Sequence, residues 1–283
     1  MSFHSLSRLF FVAAACLILF ANAACSEAAG GKLRQRLAER AGAGEGSPAF
    51  TFNGRAFNLF IPSAASGGPM PLLIVMHGGL GNADYMQEAL DMRPVAERNG
   101  LMVAYLNGTG GERKMMQNRR TWNAGDCCGP AMKQNVDDIG YIANFIDYMV
   151  KERGADPSRI FLMGHSNGSM MSYKYACQHG GINAMVGISG PLLYKSCPQG
   201  AGLRVLHMHG LLDDTVPFNG GRGEKTVTAE VNFPSMAELE RIMEAGGASF
   251  RLEALPNAGH DLKGSIRQSI NVPETAVQFL LKN

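Results

Sequence analysis

The stretch of sequence that decides the fold is IFLMGHSNGSMM, residues 160–171. Its first four residues are apolar and predict a buried strand, and the residues from Ser169 onward predict a helix. Between them, residues 164–168 match the pattern Gly-x-Ser-x-Gly. A nucleophile on a sharp turn from strand to helix needs strained backbone angles and no crowding by neighbouring side chains, which glycine permits. This context predicts Ser166 as a nucleophile; the alternative is a plain glycine-rich turn.

Apolar and amphipathic stretches alternate on both sides of this motif. Strands are predicted at residues 56–61, 72–77, 102–106, 160–163, 184–188, 203–209 and 249–255. Helices are predicted at residues 83–98 and 136–152, after residue 168, and at residues 235–245 and 273–281. This alternation indicates an α/β fold with a mostly parallel central sheet and helices on both faces. Functional residues are then expected at the carboxyl ends of strands.

A serine hydroxyl is a weak nucleophile and needs a histidine base held by an acid. The chain order Ser, Asp, His is typical of the α/β-hydrolase fold. Asp213 lies just past the strand at 203–209, and the neighbouring Asp214 is its rival, with a turn cap as its other possible role. His260 follows a short strand and precedes the last helix, where this order places the base. The sequence predicts Ser166 and His260 as catalytic, with an aspartate at 213 or 214.

The tetrahedral intermediate of acyl transfer requires hydrogen-bond donors for its oxyanion. Residues 77–81, His-Gly-Gly-Leu-Gly, follow an apolar strand and are similar to the H-G-G type of oxyanion loop. The predicted donors are the backbone amides of Gly79, Leu80 and Asn167. His77 is expected to brace this loop.

Two further residues are candidates for the substrate pocket. His165 adjoins the nucleophile and is predicted to pack or to face the substrate. Trp122, the only tryptophan of the chain, is assigned equally to the core or to the acyl pocket.

Composition excludes several classes of function. The chain has 283 residues, 26 lysines and arginines, 24 aspartates and glutamates, and a formal net charge of +2. A near-balanced charge without a basic block argues against nucleic-acid binding. No Cys-x-x-Cys pair is present, so no metal site is predicted, and serine chemistry needs no cofactor. An ester substrate is expected as the partner, with no obligatory protein partner.

The N-terminus has the features of a secretory signal. Arg8 supplies the positive charge, an apolar run follows, and Ala-Asn-Ala at 21–23 is a small-x-small cleavage site. We expect a signal peptide over residues 1–23, a flexible tether over 24–49 and a catalytic domain over 50–283. The protein is therefore predicted to be secreted or periplasmic. Cys25 leaves lipid anchoring open as an alternative, although Asn22 stands where lipoprotein signals usually carry an aliphatic residue.

Beyond the signal the chain has five cysteines, and export permits disulfides. Cys177 closes the helix after the nucleophile and Cys197 lies beyond the next strand, so these two are predicted to pair. Cys127 and Cys128 are adjacent, and a bond between neighbours would need a strained peptide. Each is therefore expected to meet another partner, or one of them to stay free.

Several blocks together carry a resemblance to a known family. They are WNAGDCCG at 122–129, VDDIGY at 136–141, DPSRI at 156–160, HG at 209–210 with Asp213, VP at 216–217 and NGG at 219–221. In this order they resemble the secreted polyhydroxybutyrate depolymerase and feruloyl esterase group of α/β-hydrolases, including its lipoprotein LpqC-like branch. The resemblance favours Asp213 over Asp214 as the acid.

What the resemblance implies is a secreted serine carboxylic-ester hydrolase. Its expected substrates are extracellular polyester oligomers or polysaccharide-linked esters. The chain departs from the family pattern at His165, Ser169, Gly79 and residues 261–262. These changes surround the pocket and leave the triad intact, so they bear on the substrate more than on the reaction. The alternatives are a catalytically silent binding module, or an acyltransferase or peptidase with the same triad.

Overall fold

Seven consecutive apolar residues, MPLLIVM, form the fully buried strand β3 (Met70–Met76) at the centre of the sheet. A strand buried on both faces is typical of parallel sheets covered by helices. The computed structural model describes residues 50–63, 68–111, 115, 117–225 and 231–282. The predicted signal peptide and tether lie outside these residues.

The described residues form one eight-stranded sheet in the order β1-β2-β4-β3-β5-β6-β7-β8. The other strands are β1 (Phe50–Phe52), β2 (Arg55–Phe60), β4 (Met102–Leu106), β5 (Ala155–His165), β6 (Ala184–Ile188), β7 (Arg204–Gly210) and β8 (Ser249–Leu255). Strands β3 to β8 are parallel to their neighbours, whereas β1 pairs with β2, and β2 with β4, antiparallel. The prediction of a mostly parallel sheet is confirmed.

Helices cover both faces of the sheet. They are α1 (Ala83–Ala89), α2 (Arg93–Asn99), α3 (Gly129–Lys133), α4 (Asp138–Arg153), α5 (Asn167–Gln178), α6 (Met236–Ala245), α7 (Arg267–Ser269) and α8 (Val272–Leu280), with a π-helical turn at Leu262–Ile266. One hydrophobic cluster packs α4, α5 and α6 on the sheet, and a second packs α1, α2 and α8 on the opposite face. This two-sided arrangement is the predicted α/β-hydrolase architecture.

The predicted helix at 83–98 is two helices in the structure. α1 ends at Ala89, and α2 begins at Arg93 with a proline in its first turn. Pro94 has no backbone N–H, so it is tolerated in the first turn of a helix but not in the interior of one long helix, and the amphipathic pattern continues across a break in the backbone.

The register of the strands brings their carboxyl ends together. Met76 at the end of β3 aligns with Leu106 of β4 and with Gly164 of β5. Loops that leave β3, β5, β7 and β8 therefore start from one edge of the sheet. In the part of the chain that the structure describes, no helix is long and apolar enough to cross a membrane.

Candidate active site

Ser166 occupies the sharp turn between β5 and α5. Its φ of 53° lies in the left-handed region, which is unusual for a residue with a side chain. The two flanking glycines make the turn possible. A Cβ on Gly164 would lie 2.3 Å from the carbonyl carbon of Gly168, and a Cβ on Gly168 would lie 2.3 Å from the carbonyl oxygen of Met76. Neither position can carry a side chain without moving backbone.

His260 connects the serine to an aspartate. Its Nε2 lies 2.9 Å from Ser166 Oγ, and its Nδ1 lies 2.8 Å from Asp213 Oδ2. The serine follows β5, the aspartate follows β7 and the histidine follows β8. The structure thus brings together the three side chains that the sequence selected, from positions up to 94 residues apart. A histidine held in this way can accept the hydroxyl proton at Nε2.

Asp213 is buried and surrounded by N–H groups. Its Oδ1 accepts hydrogen bonds from the backbone amides of Thr215 at 3.0 Å and Val216 at 2.8 Å. Its Oδ2 faces His260, with His209 Nε2 at 3.3 Å. Burial alone would raise the pKa of the carboxyl group. The hydrogen bonds from the two histidines, the charge of His260 and the Val216 amide together outweigh burial and hold the pKa of Asp213 well below its usual range.

Asp214 pairs with a lysine. Its side chain is 41% exposed and forms an ion pair with Lys225 at 2.6 Å. Of the two aspartates that the sequence left open, Asp213 is therefore the one that contacts His260.

The loop after β3 is held by a buried histidine. His77 Nε2 accepts the N–H of Gly108 at 3.0 Å, so in the neutral ring Nδ1 carries the proton and donates to the carbonyl oxygen of Gly78 at 2.8 Å. Burial lowers the pKa of His77 to about 4, which keeps it neutral. Leu80 has a φ of 63°, a second strained residue beside the nucleophile. The two hydrogen bonds of His77 to this loop and to Gly108 match the bracing role predicted for His77.

Gly79, Leu80 and Asn167 line one pocket together with Ser166 and His260. The backbone N–H of Asn167 opens α5, where amides have no acceptor within the helix. The Asn167 side chain is fixed by two bonds to Trp122: it accepts the backbone N–H at 2.7 Å and donates to the carbonyl at 3.0 Å. The predicted oxyanion donors are therefore neighbours of the serine in space.

The pocket encloses about 150 Å³. Its remaining lining is mostly apolar and comes from five separate segments: Cys127, Cys128, Met170, Thr215, Val216, Lys225 and Phe233. Sequence reasoning missed Met170, Val216 and Phe233 as pocket residues. All three also belong to the buried hydrophobic core, and no local pattern separates a core side chain from one that borders a cavity.

His165 and Trp122 are not among the residues that line this pocket. Trp122 is fully buried and donates its indole N–H to the carbonyl oxygen of His77 at 3.1 Å. His165 is buried behind the base, with Nε2 at 3.0 Å from the carbonyl oxygen of His260. Burial and the nearby His260 lower the pKa of His165 to about 3. Both residues support the site from outside the pocket.

The structure joins Cys177 to Cys197 by a disulfide, the pair that the sequence predicts. It also pairs Cys127 with Cys128, which corrects the expectation of separate partners or a free thiol. That expectation rested on the strained peptide that a bond between neighbours needs, and the peptide bond between these two residues is cis.

The chain is similar in sequence to known esterases. The chain is 29% identical over 182 residues to feruloyl esterase B of Piromyces equi, covering 60% of the chain and 32% of the relative. It is 27% identical over 189 residues to the bifunctional acetylxylan esterase/xylanase XynS20E of Neocallimastix patriciarum, covering 66% and 26%. The chain thus spans about a third or less of the length of these curated relatives.

Solved structures share the fold at low sequence identity. S-formylglutathione hydrolase of Agrobacterium tumefaciens superposes with a TM-score of 0.58 at 13% identity, over 80% of this chain and 90% of that protein. This likeness identifies the α/β-hydrolase fold. The family described as esterase PHB depolymerase matches residues 55–210, more than half of the chain. The chain therefore belongs to the esterase PHB depolymerase family.

Proposed function

We propose that this protein is a secreted serine carboxylic-ester hydrolase that acts through Ser166, His260 and Asp213. The observation that carries the proposal is the pair of contacts made by His260, 2.9 Å to the serine hydroxyl and 2.8 Å to the aspartate, at the mouth of a pocket. Membership of an esterase family supports the same reaction.

In the first half of the reaction, Ser166 Oγ attacks the ester carbonyl carbon while His260 Nε2 takes the hydroxyl proton. The imidazolium that forms is stabilised by the Asp213 carboxylate on Nδ1. Collapse of the tetrahedral intermediate breaks the bond to the alcohol oxygen, which takes the proton from Nε2. The alcohol leaves, and the acyl group stays on Ser166 as an ester.

In the second half, water replaces the alcohol. His260 accepts a proton from the water as it attacks the acyl-enzyme, and returns that proton to Ser166 Oγ when the acid departs. The oxyanion of both tetrahedral intermediates is assigned to the backbone amides of Gly79, Leu80 and Asn167, which border the same pocket.

The pocket suits a short acyl group, or one end of a longer one. A volume of about 150 Å³ corresponds to about five water molecules. Its apolar wall favours a hydrocarbon group, and its open side leaves the rest of a larger substrate in solvent. We assign extracellular polyester oligomers or polysaccharide-linked esters as the substrates. The feruloyl and acetylxylan esterase relatives support the second class.

A fluorophosphonate probe tests the chemistry. The wild-type protein is expected to be labelled at Ser166, and Ser166→Ala to lose both labelling and hydrolysis of p-nitrophenyl acetate. Ser158→Ala, a change at an exposed serine of β5, is the matched control and is expected to behave like wild type. An unlabelled, folded wild type would identify a catalytically silent binding module and contradict the proposal.

Product analysis distinguishes the remaining alternatives. Acetylated xylan, methyl ferulate and short hydroxybutyrate oligomers are each incubated with the enzyme, with and without an alcohol acceptor or an acyl-peptide. Release of free acid from an ester supports hydrolysis. Preferential acyl transfer to the alcohol, or cleavage of the peptide alone, would assign the triad to a transferase or a peptidase.

A further inference from the structure

A row of buried polar side chains lies behind the catalytic aspartate. The Tyr173 hydroxyl is 2.9 Å from His207 Nδ1, and His207 Nε2 is 3.0 Å from His209 Nδ1. His209 Nε2 then lies 2.8 Å from the carbonyl oxygen of Val216 and 3.3 Å from Asp213 Oδ2. All three side chains of the row are fully buried.

The aspartate end fixes the protons of the row. Both neighbours of His209 Nε2, the Val216 carbonyl and the Asp213 carboxylate, can only accept a hydrogen bond. His209 Nε2 therefore carries a proton, and in the neutral ring Nδ1 is an acceptor. His207 Nε2 must then donate to it, which leaves His207 Nδ1 as an acceptor in turn.

The tyrosine end of the row independently gives the same direction of hydrogen-bond donation. A buried phenol needs an acceptor for its proton, and His207 Nδ1 is the partner that the structure gives Tyr173. Tyr173 therefore donates. The row has three donors, the Tyr173 hydroxyl and the Nε2–H groups of His207 and His209, and each finds an acceptor only if both imidazole rings are neutral. A further proton on either ring would place two N–H groups against each other or leave the phenol proton without an acceptor. Burial agrees, since it lowers the pKa of His207 well below its usual value.

The neighbouring strand leaves room for this row. Gly187 of β6 is in register with His207 of β7. A Cβ at position 187 would lie 2.8 Å from His207 Nδ1 and 2.8 Å from Tyr173 Cε2. Glycine is thus the residue that permits the tyrosine and the histidine to meet.

We propose that Tyr173, His207 and His209 form a one-way hydrogen-bond chain that positions Asp213 for His260. The inference rests on the proposed function, since it assigns positioning residues to the same triad. His209 contacts the turn that carries Asp213 at two points. Its Nε2 faces Asp213 Oδ2 directly, and it also donates to the carbonyl oxygen of Val216, the residue whose backbone N–H donates to Asp213 Oδ1. Tyr173 anchors the other end in α5, the helix that begins beside the nucleophile.

The chain also sets the charge that the base experiences. The charged and titratable groups around Asp213 and His209 are His260 from the loop after β8, His207 on β7, His165 at the end of β5 and the exposed Asp214. An N–H group beside Asp213 Oδ2 disperses its negative charge. Removing that N–H would leave the carboxylate a stronger partner for the His260 imidazolium.

Nitrogen-15 NMR of histidine-labelled wild-type protein tests the chain without reference to activity. The expected spectrum near neutral pH shows His207 and His209 as neutral rings, each protonated at Nε2. A ring of His209 protonated at Nδ1, or an imidazolium at either position near neutral pH, would overturn the proposal even for an active esterase.

Two substitutions of His209 separate its two nitrogens. The Asn amide of H209N occupies the region of Nδ1 and loses the donor toward Asp213, whereas the Gln amide of H209Q reaches the region of Nε2 and can keep it. We expect kcat to fall by about tenfold or more for H209N, because a hydrogen bond to a charged group is lost, and by severalfold less for H209Q. Tyr173→Phe, which breaks only the far end, is expected to cost about threefold.

Rates are divided by the fraction of sites that a fluorophosphonate titrates, so unfolded protein is not counted. For H209N we also expect the acid limb of the kcat/KM profile to move to higher pH, with KM changed by less than about threefold. A purely structural defect would lower the titrated fraction and leave the profile in place. That result, or a higher activity of H209N than of H209Q, would contradict the proposed hydrogen-bond chain. A wild type without esterase activity but with the predicted NMR spectrum would refute the proposed function alone.

Discussion

Replacing Asp213 with asparagine tests the catalytic assignment most sharply, because the structure gives the amide no satisfactory orientation. Four N–H groups surround the carboxylate: the amides of Thr215 and Val216 on Oδ1, and the rings of His260 and His209 on Oδ2. An asparagine offers one acceptor oxygen and one NH₂ donor. Whichever way it turns, its NH₂ faces two N–H groups.

The two orientations differ in what can relax. A backbone N–H cannot lose its proton and become an acceptor. An NH₂ group turned toward Thr215 and Val216 therefore leaves donors without acceptors, at a cost of about 1–3 kcal/mol for each. The favoured orientation therefore sets the NH₂ against His260, which relieves the conflict by moving its own proton from Nδ1 to Nε2. In that tautomer His260 donates to Ser166 and cannot act as the base.

The expected loss is about 10,000-fold in kcat, the cost of the wrong tautomer in a Ser-His-Asp triad. At 1.36 kcal/mol for each factor of ten, it corresponds to about 5 kcal/mol of transition-state stabilisation. The assay is initial-rate hydrolysis of p-nitrophenyl acetate. Asp214→Asn is the matched control and is expected to stay within about twofold of wild type, because an exposed ion pair contributes little.

Activity of the Asp213→Asn variant above about 1% of wild type would refute this reasoning, since it would mean that His260 keeps its base tautomer without the carboxylate. A larger loss for Asp214→Asn than for Asp213→Asn would refute it too, by moving the acid to the neighbouring position. Circular dichroism of both variants establishes that the comparison is made between folded proteins.

Three other predictions concern stability and export. Replacing Cys177 and Cys197 with alanine opens a bridge of sequence separation 20 and is expected to lower the free energy of unfolding by about 3 kcal/mol, measured by urea denaturation. Buried His77 and His165 stay neutral in the native state down to about pH 4 and about pH 3, whereas the unfolded chain protonates them below about pH 6.5, so unfolding takes up protons and stability should fall as the pH is lowered through that window. The His77 shift alone is worth about 3 kcal/mol, and equal urea midpoints at about pH 7 and about pH 4.5 would contradict it. The exported protein is expected to begin after residue 23 with unmodified Cys25, and a diacylglyceryl mass on that cysteine would show lipid anchoring instead.

The parts of the site that the sequence predicts are those defined by local backbone geometry. A strand, two glycines and a helix predict Ser166 as the nucleophile, because a Cβ at Gly164 or Gly168 would collide with backbone at this turn. The order of the chain and the ends of strands β7 and β8 point to His260 as the proposed base and to Asp213 or Asp214 as the proposed acid, and the family resemblance favours Asp213. The disulfide between Cys177 and Cys197 was predictable for the same reason, since it joins consecutive elements of the fold.

The residues that the sequence did not reveal act through contacts between distant segments. His207 and His209 are two residues apart on β7, like any pair on one face of a strand. Only the packing of α5 on the sheet brings Tyr173 into contact with His207. The pairing of Cys127 with Cys128 joins two adjacent residues, and the sequence pattern around them does not indicate it. Trp122 was undecided between core and pocket because its role depends on which side of the loop faces the cavity.

This division explains why the reaction can be assigned more firmly than the substrate. The triad and the proposed oxyanion amides stand at strand ends whose relative positions are fixed by the register of one sheet, so they follow from the fold. The pocket wall is assembled from residues such as Cys128, Met170 and Phe233, which belong to separate segments and can change one at a time without disturbing that register. Substitutions at the wall should therefore alter which ester is cleaved while the rate constants of an accepted small ester stay similar. Substitutions in the row behind Asp213 should do the opposite, lowering the rate for every ester by a similar factor, because they act on the acid and the base that all substrates share.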